Sequence, residues 1–223
     1  MHEEVFREGE DGKLELVGDF DALYRRDVDP WDQGAATGER AAYYAGSRMR
    51  LAAMINRLEL DRLTGLEIGC GHGHSVAVLH LACGGRWSGA DISLEAIKRA
   101  RELVRPVNFF PVDITRAWPF LGSERGRYDV VVLSECLWYV MHEWRAVVKN
   151  LAGLLKPGGV AIISQAFLRG KQRYGAEIAD GFHGAMELTS FAPEFTSVHG
   201  TLCQDLPCFD HGLIFMRRKD VTA

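Results

Sequence analysis

The chain lacks a long apolar run, a block of like charge and a regular cysteine pattern. The first absence excludes a membrane-spanning helix, which needs roughly 20 consecutive apolar residues. The second, at a formal net charge of -4 and a pI near 6.1, excludes the basic footprint that holds nucleic acid or an anionic membrane surface, and points to a small-molecule partner. The five cysteines, Cys70, Cys83, Cys136, Cys203 and Cys208, are odd in number and irregular in spacing, as reduced thiols are. Neither C-x-x-C nor H-x-x-x-H occurs. No metal site is therefore expected, although Cys70, His72, His74 and His80 lie close together and Cys203, Cys208 and His211 form a second group. Because Met1 is followed by His2-Glu3-Glu4, no signal peptide is expected and the location reads as cytoplasmic. At 223 residues, 47% of them hydrophobic, there is material for one well-buried domain with an appendage.

What is present centres on Leu66-Glu67-Ile68-Gly69-Cys70-Gly71-His72-Gly73-His74. An apolar run ends in three alternating glycines before a helical pattern begins at Ser75, so the stretch reads as strand, glycine turn and helix. Glycines at such a turn admit positive φ and let a ligand lie close to the backbone. The dinucleotide fingerprint G-x-G-x-x-G fails because His74 stands where its last glycine would be, and no Gly-Lys-Ser or Gly-Lys-Thr completes a P-loop.

Before this turn, Met1 to Arg26 offers only a short amphipathic stretch at Phe20, Leu23 and Tyr24 and reads as a mobile end with turns at residues 9–12 and Gly18. Asp29-Pro30-Trp31 is a proline-held turn ahead of a helix from about Glu39 to Arg57, with Tyr43, Tyr44, Met49, Leu51 and Ile55 inward and Arg40, Arg48, Arg50 and Arg57 outward. Such a helix can cap a cleft or simply pack, and Trp31 can serve as lid or as core.

After the turn, a helix over Ser75 to Cys83, a strand over Arg86 to Ile92, a helix behind the N-cap Ser93 and a strand over Val107 to Val112 follow in order. Tyr128 to Ser134 is a continuous β-branched strand, Trp144 to Lys156 a helix stopped by Pro157-Gly158-Gly159, and Val160 to Ser164 a strand. A basic loop over residues 169–175 and a short helix near Ala185 to Ala192 lead to two antiparallel strands, Phe195 to Leu202 and His211 to Arg217. This alternation implies an α/β fold, a doubly wound Rossmann-like seven-stranded sheet, mostly parallel with one antiparallel edge strand. Residues 1–60 form the segment and capping helix, and residues 61–223 the cofactor-binding domain. Asp91, 22 residues after Gly69, stands where an acid at the end of the second strand meets ribose hydroxyls.

The E-x-G-x-G-x-G motif from Glu67 to Gly73, with Asp91, Asp113 and Ser134-Glu135 in order, resembles the class I S-adenosylmethionine-dependent methyltransferases over roughly residues 60 to 217. Asp29-Pro30-Trp31, Glu39, Tyr43 and Glu135-Cys136-Leu137-Trp138-Tyr139 resemble more narrowly the NodS-type N-methyltransferases, which methylate an amino sugar; the chain departs from them at Ala42, where a basic residue is frequent. The resemblance implies S-adenosylmethionine as cofactor. It assigns Glu67 to the methionine amino group, Gly69, Cys70, Gly71 and Gly73 to the backbone cradle, Asp91 to the ribose, Ile92 to stacking on adenine, and Asp113 with the Ile114 backbone to the adenine edge. Ser134 borders the methionine end, and Trp31 and Tyr43 close over the cofactor.

A sulfonium already makes the methyl group a strong electrophile, so the protein must align the acceptor and keep it unprotonated. For an amine, Glu135 is the candidate to take the proton, with His142 or Tyr139 as alternative acceptors or orienters; Glu135 equally suits cofactor binding or a helix start. The rival reading is O-methylation of a small hydroxylated metabolite, with His142 or His183 as the stronger base. A third is cofactor binding without turnover.

Overall fold

The computed structural model describes residues 2–10, 12–35, 37–116, 122–170 and 172–220. The expected turn at residues 9–12 includes Asp11, and the basic loop includes Lys171; both lie outside the described residues. The chain opens with a hairpin, β1 (Phe6–Glu8) and β2 (Leu14–Leu16), and two helices, α1 (Phe20–Arg26) and α2 (Glu39–Asn56). There follow β3 (Thr64–Ile68), α3 (His74–Cys83), β4 (Arg86–Asp91), α4 (Leu94–Leu103), β5 (Asn108–Pro111), β6 (Tyr128–Ser134), α5 (Leu137–Val140) and α6 (Trp144–Leu154). The chain closes with β7 (Leu155–Leu168), α7 (Gly181–Ser190), β8 (Phe195–Cys203) and β9 (Phe209–Arg218). Among the described residues no helix is long and apolar enough to cross a membrane.

Seven strands form one sheet in the order β5-β4-β3-β6-β7-β9-β8. The first five are parallel, and β9 runs antiparallel to both β7 and β8. The expected antiparallel edge is thus a pair, and the strand that opposes the others lies one place in from the rim. Alternation along the strands divides the core in two. Leu66, Ile68, Val131, Leu133 and Ile163 pack with α6 and α7, whereas Val130, Val132 and Ile162 pack on the other face with α2, α3 and α4.

Ser93 caps α4 as expected, its hydroxyl accepting from Ala96 N at 3.1 Å. Two expectations change. The seventh strand begins at Leu155, because Tyr128 pairs with Leu155 and Val130 with Val160, so Pro157-Gly158-Gly159 is carried as a bulge within the strand rather than as a turn before it. The amino-terminal residues are also held: Val5 and Leu23 are 1% and 0% exposed, and α1 is capped by Asp19, whose side chain accepts from Ala22 N. What fixes them is contact with α4, made by Asp21 to Ser93 Oγ at 2.6 Å and to Glu95 N at 3.2 Å, a long-range pairing that local periodicity does not report.

Leu23→Ala should release α1, because truncating a fully buried leucine costs about 2 kcal/mol or more. The expected outcome is a roughly thirtyfold rise in amide exchange over residues 20–26, with the sheet unchanged; unchanged exchange would show that α1 is not docked through Leu23.

Candidate active site

A cavity of about 660 Å³ opens at the carboxyl ends of β3, β4 and β6, where ligands of open α/β sheets bind. Its wall combines sheet-end residues (Gly69, Asp91, Ile92, Asp113, Ile114, Ser134, Glu135) with amino-terminal ones (Phe20, Tyr24, Trp31, Gln33, Tyr44) and with Trp138, Tyr139 and His142. A volume of this size lies within the range for small-molecule sites.

The glycine loop turns as its sequence requires, with Gly69, Gly71 and Gly73 at φ of 74°, 51° and 80°. Its space is filled by the protein itself. A Cβ on Gly69 would stand 1.8 Å from Cys136 Sγ, one on Gly71 2.9 Å from the Tyr24 hydroxyl, and one on Gly73 2.7 Å from the Phe109 ring. Gly69 lines the cavity, but Gly71, Gly73 and Cys70 do not; Cys70 is 3% exposed and belongs to the α2–α3–α4 core. Gly71 and Gly73 are thus needed for φ and for close internal packing.

Asp91 reaches the cavity wall with both oxygens engaged, Oδ2 by Gly71 N at 2.8 Å and Oδ1 by Ser93 N at 2.9 Å, which leaves one lone pair on each. Burial raises its pKa against those two donors. Ile92 is 49% exposed at the cavity, a position that suits an aromatic ring laid on it. Asp113 is held by Thr115 and Arg116, and the Ile114 carbonyl already accepts from Asn150 Nδ2 at 2.7 Å, so an edge contact falls to the Ile114 N–H.

Two carboxyl groups differ sharply in their partners. Glu67 is 1% exposed, and its Oε2 has no hydrogen-bond partner; burial lifts its pKa to about 8, with Ser134, Arg48 and Ser75 pulling back. Glu135 is half-buried and lines the cavity. Its Oε1 accepts from the Tyr43 hydroxyl at 2.9 Å, and its Oε2 from Ala166 N at 2.8 Å and Gln165 Nε2 at 3.2 Å. Burial raises it to about 7, opposed by the Ala166 and Tyr43 bonds and the Arg48 charge. Its backbone is at φ 53°, a strained setting for a non-glycine residue and one frequent at functional sites.

Tyr43 is therefore relocated. It is 1% exposed, lies behind Glu135 and does not line the cavity, whereas Tyr44 does. Tyr139 lines the cavity, but burial pushes its phenol well above the usual range, so it stays protonated and is no base. His142 lines the cavity; His183 stands 89% exposed on α7, beside Glu187. Trp31 lines the cavity and meets His2 edge-on at 5.1 Å.

The sequence reading missed Arg48 and Gln165. Arg48 turns inward from α2, bonds Ser75 Oγ at 3.2 Å and lies 5.3 Å over the Tyr44 ring. Gln165 joins Leu137 N to Glu135 through its two amide ends. Periodicity put Arg48 outside because it cannot see that α2 faces a carboxylate pair. It also missed a cluster of Asp29, His72 and His74 whose ligand atoms lie within 4.8 Å of one another, since Asp29 is remote in sequence. Burial, with nearby Arg99 and Arg48 respectively, lowers the pKa of both histidines, His72 to about 4.

Residues 66–159 match the family described as "Methyltransferase domain". No curated protein sequence matches the chain. Among solved structures, the CurJ carbon methyltransferase is 18% identical with a TM-score of 0.69, covering 92% of this chain, which in turn spans 63% of that one. The N-methyltransferase NodS from Bradyrhizobium japonicum WM9, in complex with S-adenosylhomocysteine, is 20% identical over 89% of this chain and 97% of its own, with a TM-score of 0.64. Magnesium protoporphyrin IX methyltransferase from Synechocystis PCC 6803, with bound S-adenosylhomocysteine, is 15% identical over 90% and 98%, with a TM-score of 0.62. At these identities the likeness is one of fold.

Gly69→Ala should destabilise the ligand-free protein, because its Cβ would meet Cys136 Sγ and its φ is unfavourable, at about 1–3 kcal/mol for the backbone alone. Denaturant unfolding of Gly69→Ala beside Gly69→Ala/Cys136→Ala should recover the steric part only; no recovery would mean that Cys136 is not the obstacle.

Proposed function

We propose that this chain is an S-adenosylmethionine-dependent methyltransferase, a reading supported by its match to a methyltransferase domain over residues 66–159 and by its fold, and we assign it a substrate class and residue roles. The acceptor is a small amine, an amino sugar or a molecule like it, and the reaction is N-methylation. One observation carries this reading: Glu135, a carboxyl group of pKa about 7 set in the cavity and held by Tyr43, Gln165 and Ala166.

The unpartnered Glu67 Oε2 with the Arg48 guanidinium nearby is the donor and acceptor pair that an amino-acid headgroup requires. Glu67 would take the cofactor's ammonium and Arg48 its carboxylate, Asp91 the ribose hydroxyls, Ile92 the adenine face, and Asp113 with the Ile114 N–H its edge. Gly69 and Ser134 border the methionine end. When bound, the cofactor supplies a methyl group activated by a sulfonium.

The chain's task is then to hold the amine in line and free its lone pair. Glu135 attracts the protonated amine and takes up its proton; a base with a pKa near the working pH is well suited to that transfer. Tyr43 positions Glu135 from behind, and Tyr139 orients the acceptor as a donor. Residues 1–60 act as a cap on the 61–223 domain, a division supported by Phe20, Trp31 and Tyr44 in the cavity wall. Five unpaired thiols support a reducing, cytoplasmic location. O-methylation is the second reading, favoured by His142 in the cavity wall; His183, exposed on α7, does not line it.

A mass-spectrometric screen of amines, amino sugars and hydroxylated compounds tests the acceptor. We expect methylated amines, a kcat/KM that rises with pH through about 7 as Glu135 ionises, and loss of that limb in Glu135→Gln with kcat down by about 10²–10⁴. Methylation of hydroxyls alone, or an intact limb in Glu135→Gln, would overturn the proposal.

Glu67 gives a separate outcome. At pH 7 a carboxyl group of pKa about 8 is mainly protonated, and pairing with an ammonium ionises it, so S-adenosylhomocysteine binding should release roughly one proton. Calorimetry in two buffers of different ionisation enthalpy should show this, and Glu67→Gln should abolish it; buffer-independent heats in the native protein would sink the assignment.

A further inference from the structure

Residues 27–34 form a strap from α1 to α2 that passes beside the glycine loop. It is fastened at both ends and in the middle. Arg99 Nη1 donates to the Asp27 and Val28 carbonyls at 3.0 Å each, the His2 ring bonds the Pro30 carbonyl at 2.8 Å, and Arg48 donates to the Gln33 carbonyl at 3.3 Å. Asp29, near the centre, comes within reach of the two loop histidines, and the ligand atoms of Asp29, His72 and His74 all lie within 4.8 Å of one another.

Three features make this cluster more than a chance meeting. The acid is preoriented: its Oδ1 accepts from Gln33 N at 3.0 Å and its Oδ2 from Gly34 N at 2.7 Å. His72 is 5% exposed, and its Nε2 is buried without a hydrogen-bond partner, a costly state that a ligand would relieve. Gly34 keeps the space open, since a Cβ there would stand 3.1 Å from Asp29 Oδ2 and 3.2 Å from His74 Nε2.

We propose that Asp29, His72 and His74 bind a divalent transition-metal ion of the zinc class, which fastens the strap to the glycine loop. Two imidazole nitrogens and one carboxylate oxygen are a donor set for zinc, with a fourth position for water, and are poorly suited to magnesium or calcium. Bonds of about 2.0–2.1 Å place tetrahedral ligands about 3.3 Å apart, so side-chain rotation must draw these three together by about 1.5 Å at most. None of the three lines the cavity, whereas Trp31 and Gln33 of the strap do. The ion therefore acts on the strap, not on reacting atoms, and sets the position of Trp31. The site rests on its own geometry and stands whichever acceptor is methylated.

The test uses the full chain, stripped with a chelator that is then removed, and titrated with Co²⁺ as a spectroscopic probe and with Zn²⁺ in competition. Expected are one Co²⁺ per chain with visible bands of tetrahedral nitrogen and oxygen ligation and no sulfur charge-transfer band, displacement by Zn²⁺, and slower amide exchange over residues 27–34 with Zn²⁺ bound. His74→Ala and Asp29→Asn, each checked for native unfolding behaviour without metal, should lose at least about tenfold in affinity. Absence of saturable Co²⁺ uptake, a sulfur charge-transfer band, or unchanged affinity in both variants would overturn the proposal.

Discussion

Three carboxyl groups stand at the carboxyl ends of three neighbouring strands, Glu67 and Asp91 buried and Glu135 half-buried, and removing a carboxylate from water costs several kcal/mol unless other groups replace that water. The site is built around how each of them is compensated. Asp91 is met by two backbone N–H groups, which tie the glycine loop to the start of α4. Glu135 is met by a phenol, an amide side chain and a backbone N–H. Glu67 keeps one oxygen unpaired. The burden of burial is thus left incomplete at one position only of the three, where a cation can complete it.

The same constraint gives the amino-terminal segment its role. Tyr43 of α2 reaches across 92 residues of sequence to hold Glu135, and Arg48 of the same helix supplies positive charge to Glu67 and Glu135 together. A helix outside the parallel sheet therefore opposes, in part, the upward pull of burial on both carboxyl groups. Arg48 in turn carries the strap through the Gln33 carbonyl, so cavity wall, lid and buried charges form one connected arrangement.

Much of the fold was legible. The β-branched run at residues 128–134 became β6, the interruption by three glycines became the β3–α3 turn, and the antiparallel end of the sheet followed from two late strands joined through Pro207. These depend on local chemistry: period, propensity and allowed φ. The errors share a different origin. Arg48 was read as facing outward, yet it bonds Ser75 Oγ on the body of the protein. The amino terminus was read as mobile, although Asp21 and Leu23 dock it on the body of the protein. Each depended on contacts between distant segments.

The sequence by itself determined the order of strands and helices, the left-handed glycines and the acids at strand ends, because each is dictated by neighbours within a few residues. Only the tertiary structure decided which of two adjacent tyrosines faces the cavity, that Arg48 turns inward, and that Asp29 meets His72 and His74. Those outcomes follow from the rotation of α2 and the path of the strap over the sheet, and a one-dimensional pattern carries no term for either.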